Sequence, residues 1–175
     1  MQGFRSMRHI INGDFKNGLT YWNYVKNESD DSVGRVKGEE NYGYIKDLDK
    51  GDAKLFQGLY IENKPTVLRA VVKSSGDNCR IFVRNSETDE LITYKDFNNT
   101  DWQKIDLEFL VPESANYRLG IERGEATKGE AYIKNAYLYG NFDKAYGYKR
   151  AVMDGGKLIY VYNEDNLDQI SLFRE

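Results

Sequence analysis

The sequence predicts an all-β fold, an antiparallel β-sandwich, and three observations carry that expectation. Apolar residues recur at every second position in one segment after another. Turn-forming residues punctuate the chain at intervals of roughly 8–12 residues, and no stretch sustains a helical period. One face of most segments is polar, which suits antiparallel sheets with a solvated side better than buried parallel strands.

The elements follow in order. Asp49-Lys50-Gly51-Asp52 reads as a turn leading into Leu55-Phe56-Gln57-Gly58-Leu59-Tyr60-Ile61. Leu68, Ala70 and Val72 alternate within residues 67–73, and Ser74-Ser75-Gly76-Asp77 turns the chain. Cys79, Ile81 and Val83 then point one way, and Arg80, Phe82 and Arg84 the other. Ile105, Leu107, Phe109 and Val111 alternate less perfectly, and Pro112 closes that run because it has no N–H for a ladder. Tyr117, Leu119 and Ile121 repeat the pattern, as do residues 131–139. Asp154-Gly155-Gly156, between residues 149–153 and 157–162, reads as a hairpin turn. The strand after it, Leu158-Ile159-Tyr160-Val161-Tyr162, is apolar or aromatic on both faces and needs cover or a partner. A third strand over 169–173 and a short helical turn over 164–167 complete the expectation. Residues 1–7 are thus an N-terminal approach, 8–140 the sandwich, and 141–175 a β-rich extension. That extension is expected to dock on the sandwich, on a second copy of the chain in a homo-oligomer, or on another protein.

At 175 residues, with 40% hydrophobic and 30% charged side chains, the chain is long enough for one well-buried domain and unlike a disordered tail. The formal charge of −3 removes the usual electrostatic drive for binding a phosphate backbone, so nucleic acid is not an expected partner. Cys79 is the only cysteine, which rules out an intramolecular disulfide and a cysteine-rich zinc site, and its apolar neighbours suggest a small core residue. Membrane insertion is not expected, because no apolar run is long enough to form a spanning helix. The opening Met1-Gln2-Gly3-Phe4-Arg5-Ser6-Met7-Arg8 carries charge without an apolar stretch behind it, so it does not read as a secretory signal. The expectation is cytoplasmic synthesis, with a virion as one destination, or an extracellular one if a signal has been removed.

Catalytic patterns are missing. His9 is the only histidine, and no nucleophile–histidine–carboxylate arrangement can be assembled around it. Gly-x-Ser-x-Gly, His-Glu-x-x-His and phosphate-loop motifs do not occur. Residues 124–129, Gly-Glu-Ala-Thr-Lys-Gly, form a polar connection with no helix after them to hold phosphate. Paired carboxylates are the one catalytic device a sandwich could bring to glycosides. Acidic residues on a solvated face explain these without chemistry, so the chain reads as a non-enzyme with no cofactor.

Several segments support a family comparison. Ile11-Asn12-Gly13-Asp14-Phe15 with Gly18-Leu19 and Trp22, Leu55-Phe56-Gln57, Trp102 opening the run to Val111, and Tyr132-Ile133-Lys134-Asn135-Ala136-Tyr137-Leu138 occur in that order over residues 8–140. Together they resemble the galactose-binding-like jelly rolls of carbohydrate-binding modules, especially the type grouped as families 4, 9 and 22. The resemblance implies a jelly-roll sandwich and, in many relatives, a structural calcium held by an acidic residue after the Asp-Phe pair and by an aspartate in the closing strand. Here those places hold Lys16 and Lys134, and an ammonium cannot ligate a hard cation. The expectation is therefore no calcium, with Lys134 forming an ion pair near Asp14 in its stead.

The resemblance also implies aromatic rings that stack on sugar faces beside polar groups that read hydroxyls. Trp22 and Trp102 match structural positions and are assigned to the core. Ligand candidates are Tyr42, Tyr44, Gln57, Arg69, the Arg80-Phe82-Arg84 face and Tyr94. Arg80 and Arg84 could instead pair across strands with the Asp106 and Glu108 face, a contact worth little where exposed. Two functions remain open: a module that binds polysaccharide or cell-surface glycan, and a structural protein of a phage particle. Stand-alone domains of this resemblance also occur as appendages of bacteriophage particles, where residues 141–175 would contact a virion protein or a second copy.

Overall fold

A computed structural model describes residues 7–38, 40–140, 150–154 and 157–161, the last two stretches through their backbone pairing. The strands are β1 (Asn23–Val25), β2 (Val33–Val36), β3 (Tyr42–Ile45), β4 (Lys54–Ile61), β5 (Thr66–Ser74), β6 (Cys79–Asn85), β7 (Leu91–Phe97), β8 (Gln103–Phe109), β9 (Ala115–Glu122), β10 (Ala131–Tyr139), β11 (Arg150–Asp154) and β12 (Lys157–Val161). Among the described residues the one helical element is a 3-10 turn, Asp30–Ser32, whose start is capped by the Ser29 side chain accepting from the Asp31 N–H. The fold is all-β.

Two five-stranded antiparallel sheets make the sandwich. The first has the order β1-β4-β9-β6-β7 and the second β2-β3-β10-β5-β8. Alternation aims one side of most of these strands inward. Leu55, Gln57, Leu59 and Ile61 of β4 are buried, as are Tyr117, Leu119 and Ile121 of β9 and Cys79, Ile81 and Val83 of β6. They meet Leu68, Ala70 and Val72 of β5, Leu107 and Phe109 of β8, and Ala131 and Ile133 of β10 in one apolar core. Each buried Leu, Ile or Val contributes roughly 1.5–3 kcal/mol relative to exposure. β11 and β12 pair antiparallel where the sequence placed a hairpin. The expected third strand over 169–173 and the turn over 164–167 lie outside the described residues.

The opening motif does structural work. Asn12 adopts a left-handed φ of 55°, its side-chain amide donates to the carbonyls of Gly18 and Thr20, and its side-chain oxygen accepts from the Asn17 N–H. The Gly13 carbonyl accepts from the Ala136 N–H, and a Cβ at Gly13 would lie 2.0 Å from the Ala136 oxygen, so only glycine allows this approach. Asp14 accepts from the Lys16 N–H, while the Phe15 ring stacks on buried Trp22 with centroids 4.7 Å apart. Trp22 donates from its indole N–H to the Asn12 carbonyl, which closes the knot. Its partner on β10 is a bulge between Lys134 and Tyr137, where Asn135 has a φ of 48°.

Candidate functional site

The eight residues expected to face a ligand fall into three places. Arg80, Phe82 and Arg84 of β6 and Tyr94 of β7 share the outer face of the first sheet, with Phe82 opposite Tyr94 in the ladder. Tyr42 and Tyr44 of β3 and Arg69 of β5 lie on the outer face of the second sheet. Gln57 faces the core: it is 0% exposed, accepts from the Ile11 N–H and donates to the Ile11 carbonyl. Its side chain thereby clasps the N-terminal segment onto β4, and it presents nothing to a ligand.

The outer face of the first sheet carries a groove. Two adjoining hollows of about 580 Å³ and 200 Å³ share Phe56 and Arg118 and run as a groove from β1 towards β6. Gly58 lies in its floor, and no atom lies within 4 Å of where a Cβ at that position would sit. Tyr24, 47% exposed, and Trp22 flank one end. Phe82 is only 1% exposed and forms the base of the other, beneath Arg84, whose guanidinium lies 5.8 Å from its ring centroid. Arg118 covers Phe56 in the same way at 5.5 Å. Tyr94, 48% exposed, carries the Arg80 guanidinium 4.4 Å above its ring.

A buried carboxylate organises Arg84, Arg80 and Lys54. Glu122 ends β9 with 4% of its side chain exposed, and Arg84 grips it bidentately, Nε to Oε2 at 3.1 Å and Nη2 to Oε1 at 3.0 Å. Lys54 Nζ stands 3.6 Å from Oε2, and Arg80 Nε 3.9 Å from Oε1, too far for a hydrogen bond. The Glu122 hydrogen bond, then its charge, pushes the Arg84 pKa above its ordinary value. The network fixes the arginines along the groove wall. Arg80 and Arg84 therefore do not pair with Asp106 and Glu108, because β8 belongs to the other sheet. Asp106 instead holds Arg69 bidentately at 2.7 and 2.9 Å.

The outer face of the second sheet carries an aromatic triangle. Tyr42 lies 5.4 Å from Trp102 and 5.6 Å from Tyr132, and Trp102 lies 6.4 Å from Tyr132, all edge to face. Trp102 is thus half-exposed on a surface, which corrects its assignment to the core: it stands just before β8, on the side away from Leu107. Lys134 pairs with Glu40 at 3.0 Å, not with Asp14, which has Lys16 at 3.7 Å. Asp14 lies in the knot by the bulge, whereas Lys134 opposes Tyr42's edge of the triangle. Glu40 also accepts from the Trp102 indole N–H at 3.2 Å.

Asp14 is occupied by Lys16, and no group of three or more histidine, cysteine or acidic side chains is placed to hold a metal among the described residues. Burial, and then Asp77, push the Cys79 thiol up to about 12, so at neutral pH it is an unreactive core group. A further cavity of about 370 Å³ at the strand ends includes Arg8, His9 and Leu138. Ion pairs from Arg8 and Lys64 to Glu62 occupy its rim, and none of the expected ligand residues reaches it.

No protein-family model matches the sequence, and no curated protein does. Solved structures do match. A family 4 carbohydrate-binding module superposes with a TM-score of 0.59 at 16% identity, covering 74% of this chain and 97% of its own. A structure described as family 16 carbohydrate-binding module 2 gives 0.56 at 19% identity, covering 74% and 98%. This chain shares the jelly-roll fold of these carbohydrate-binding modules. Tailspike protein 4 of bacteriophage CBA120 shares the fold as well, with a TM-score of 0.54 at 13% identity over 74% of this chain and 21% of the tailspike. Within that jelly roll, sequence reasoning missed Phe56, Gly58, Arg118 and Glu122 in the groove and Trp102 and Tyr132 in the triangle. Period-two alternation with buried Leu55, Leu119, Ile121 and Ile133 was the available signal for most of them.

Proposed function

We propose that this jelly roll is a non-catalytic glycan-binding module that seats a sugar chain in the groove of the first sheet. The observation that carries the reading is the open floor at Gly58, lying between exposed Tyr24 and the arginine-capped rings of Phe56 and Phe82. A pyranose presents apolar C–H faces to rings and hydroxyls to guanidinium groups, and the exposed Tyr24 ring and the half-exposed Arg118 guanidinium offer both along this groove. The carbohydrate-binding modules that share the fold support the same reading. Affinity electrophoresis against soluble neutral polysaccharides tests it. Retardation by at least one polymer, abolished in Gly58→Trp with an unchanged melting temperature, is the expected result. A wild-type protein that no polymer retards refutes it.

A second reading, compatible with the first, is that the domain is an appendage of a phage particle, made in the cytoplasm and attached through residues 141–175. The likeness to a tailspike domain supports it. Light scattering of the full chain and of a chain ending at Gly140 tests the oligomeric part: a multimer that becomes a monomer supports it, and two monomers sink it.

A further inference from the structure

We propose that the outer face of the second sheet is a separate ligand site, one that takes an anionic sugar chain. A pyranose face would rest on Trp102, Tyr42 and Tyr132, with its carboxylate, sulfate or phosphate on Lys73. Lys73 stands opposite Tyr132 in the ladder, and its Nζ lies 4.9 Å from the Trp102 ring centroid and 5.1 Å from that of Tyr132. Among the described residues this ammonium has no ion-pair partner. Lys46 rests 4.5 Å from the ring of Tyr44, the neighbour of Tyr132 across the sheet, and likewise lacks an ion pair among those residues. Lys134 lies 4.3 Å from the Trp102 ring, and Glu40 neutralises it.

Three ammoniums on rings against one contacting carboxylate leave local positive charge in a chain whose formal charge is −3. A cation held by aromatic faces remains able to meet an anion, because a ring quadrupole orients charge without neutralising it. The three edge-to-face rings stay half-exposed, so an apolar sugar face can reach them. The groove on the opposite sheet differs on this point, since buried Glu122 already engages Arg84, Arg80 and Lys54 there, and Asp89 stands 3.9 Å from Arg118.

Affinity electrophoresis of the full chain against polygalacturonate, dextran sulfate, a phosphomannan and neutral dextran decides the matter. Retardation by at least one of the three polyanions, weakened by added salt and absent with dextran, is expected, and the polymer that retards identifies the anion. Lys73→Gln, which removes no ion pair, should weaken that binding about tenfold. Trp102→Ala should abolish it, while Gly58→Trp on the opposite sheet leaves it unchanged. Failure of all three polyanions to bind overturns the proposal. So does binding that survives Lys73→Gln or is lost in Gly58→Trp, which would assign the anion to the groove. A wild-type chain that a polyanion retards and no neutral polysaccharide does would overturn the groove reading and leave this one standing.

Discussion

The two outer faces of the sandwich are built from the same materials, arginine or lysine laid on aromatic rings, yet they distribute charge in opposite ways. On the first sheet Arg84, Arg80 and Lys54 converge on Glu122, a carboxylate with 4% of its side chain exposed, while Arg118 has Asp89 at 3.9 Å. On the second sheet Lys73 and Lys46 lie on rings without an ion-pair partner among the described residues, and Glu40, 55% exposed, pairs with Lys134 and feels the charge of Lys73 from farther off. A buried carboxylate turns cations into scaffold, because separating the pair would strand charge in a poorly hydrated site. An exposed one leaves them available, because water already screens both partners. Position relative to solvent, not residue type, decides which arginines and lysines hold the fold and which can meet a ligand.

The largest effect expected from breaking this comparison is on stability. Glu122→Ala strands Arg84 and Arg80, leaves Lys54 to Asp52 alone, and should cost about 3–5 kcal/mol in urea denaturation. Glu40→Ala on the other face should leave the urea midpoint unchanged. Equal effects from the two would dissolve the distinction. Next comes the Gln57 clasp, which neither face shares. Gln57→Leu leaves the Ile11 N–H and carbonyl without their side-chain partner and should cost about 1–3 kcal/mol, read in the same denaturation experiment.

Binding effects should be smaller and local. Tyr24→Ala should weaken neutral-glycan retention about tenfold, or about 1.4 kcal/mol, without touching polyanion binding. Simultaneous loss of both would mean one surface rather than two. The smallest effect is a pH response confined to the second sheet. The Lys134 hydrogen bond, followed by its charge, holds the Glu40 carboxyl below its usual 4.5. The Glu40–Lys134 pair is therefore intact at neutral pH and is lost only as pH falls through that lowered value. Trp102 fluorescence should report the loss, because its indole N–H donates to Glu40, and the response should vanish in Glu40→Gln.

Much of the fold was legible in the sequence because a strand has a period of two: once Leu55, Ile81 or Ile121 is assigned inward, its neighbours' directions follow. The Arg80-Phe82-Arg84 face was found in this way, and Trp22 was correctly assigned to the core. Gln57 was misread as a ligand residue, although its place between Leu55 and Leu59 put it on the inner side. A polar residue there satisfies a buried backbone, here that of Ile11. Trp102 was misread because it precedes the strand whose alternation would have shown its side.

By itself the sequence determined the all-β class and the inward and outward sides of most strands. Those depend on the local geometry of neighbouring residues. Only the tertiary structure decided which strands lie side by side. β8 joins β5 and not β6, so Asp106 meets Arg69 rather than Arg84, and Lys134 finds Glu40 rather than Asp14. Lateral strand order is set by crossovers between the two sheets and by how their inner faces pack, and no local period encodes either. For the same reason the groove and the aromatic triangle, each assembled from several strands, became visible only in three dimensions.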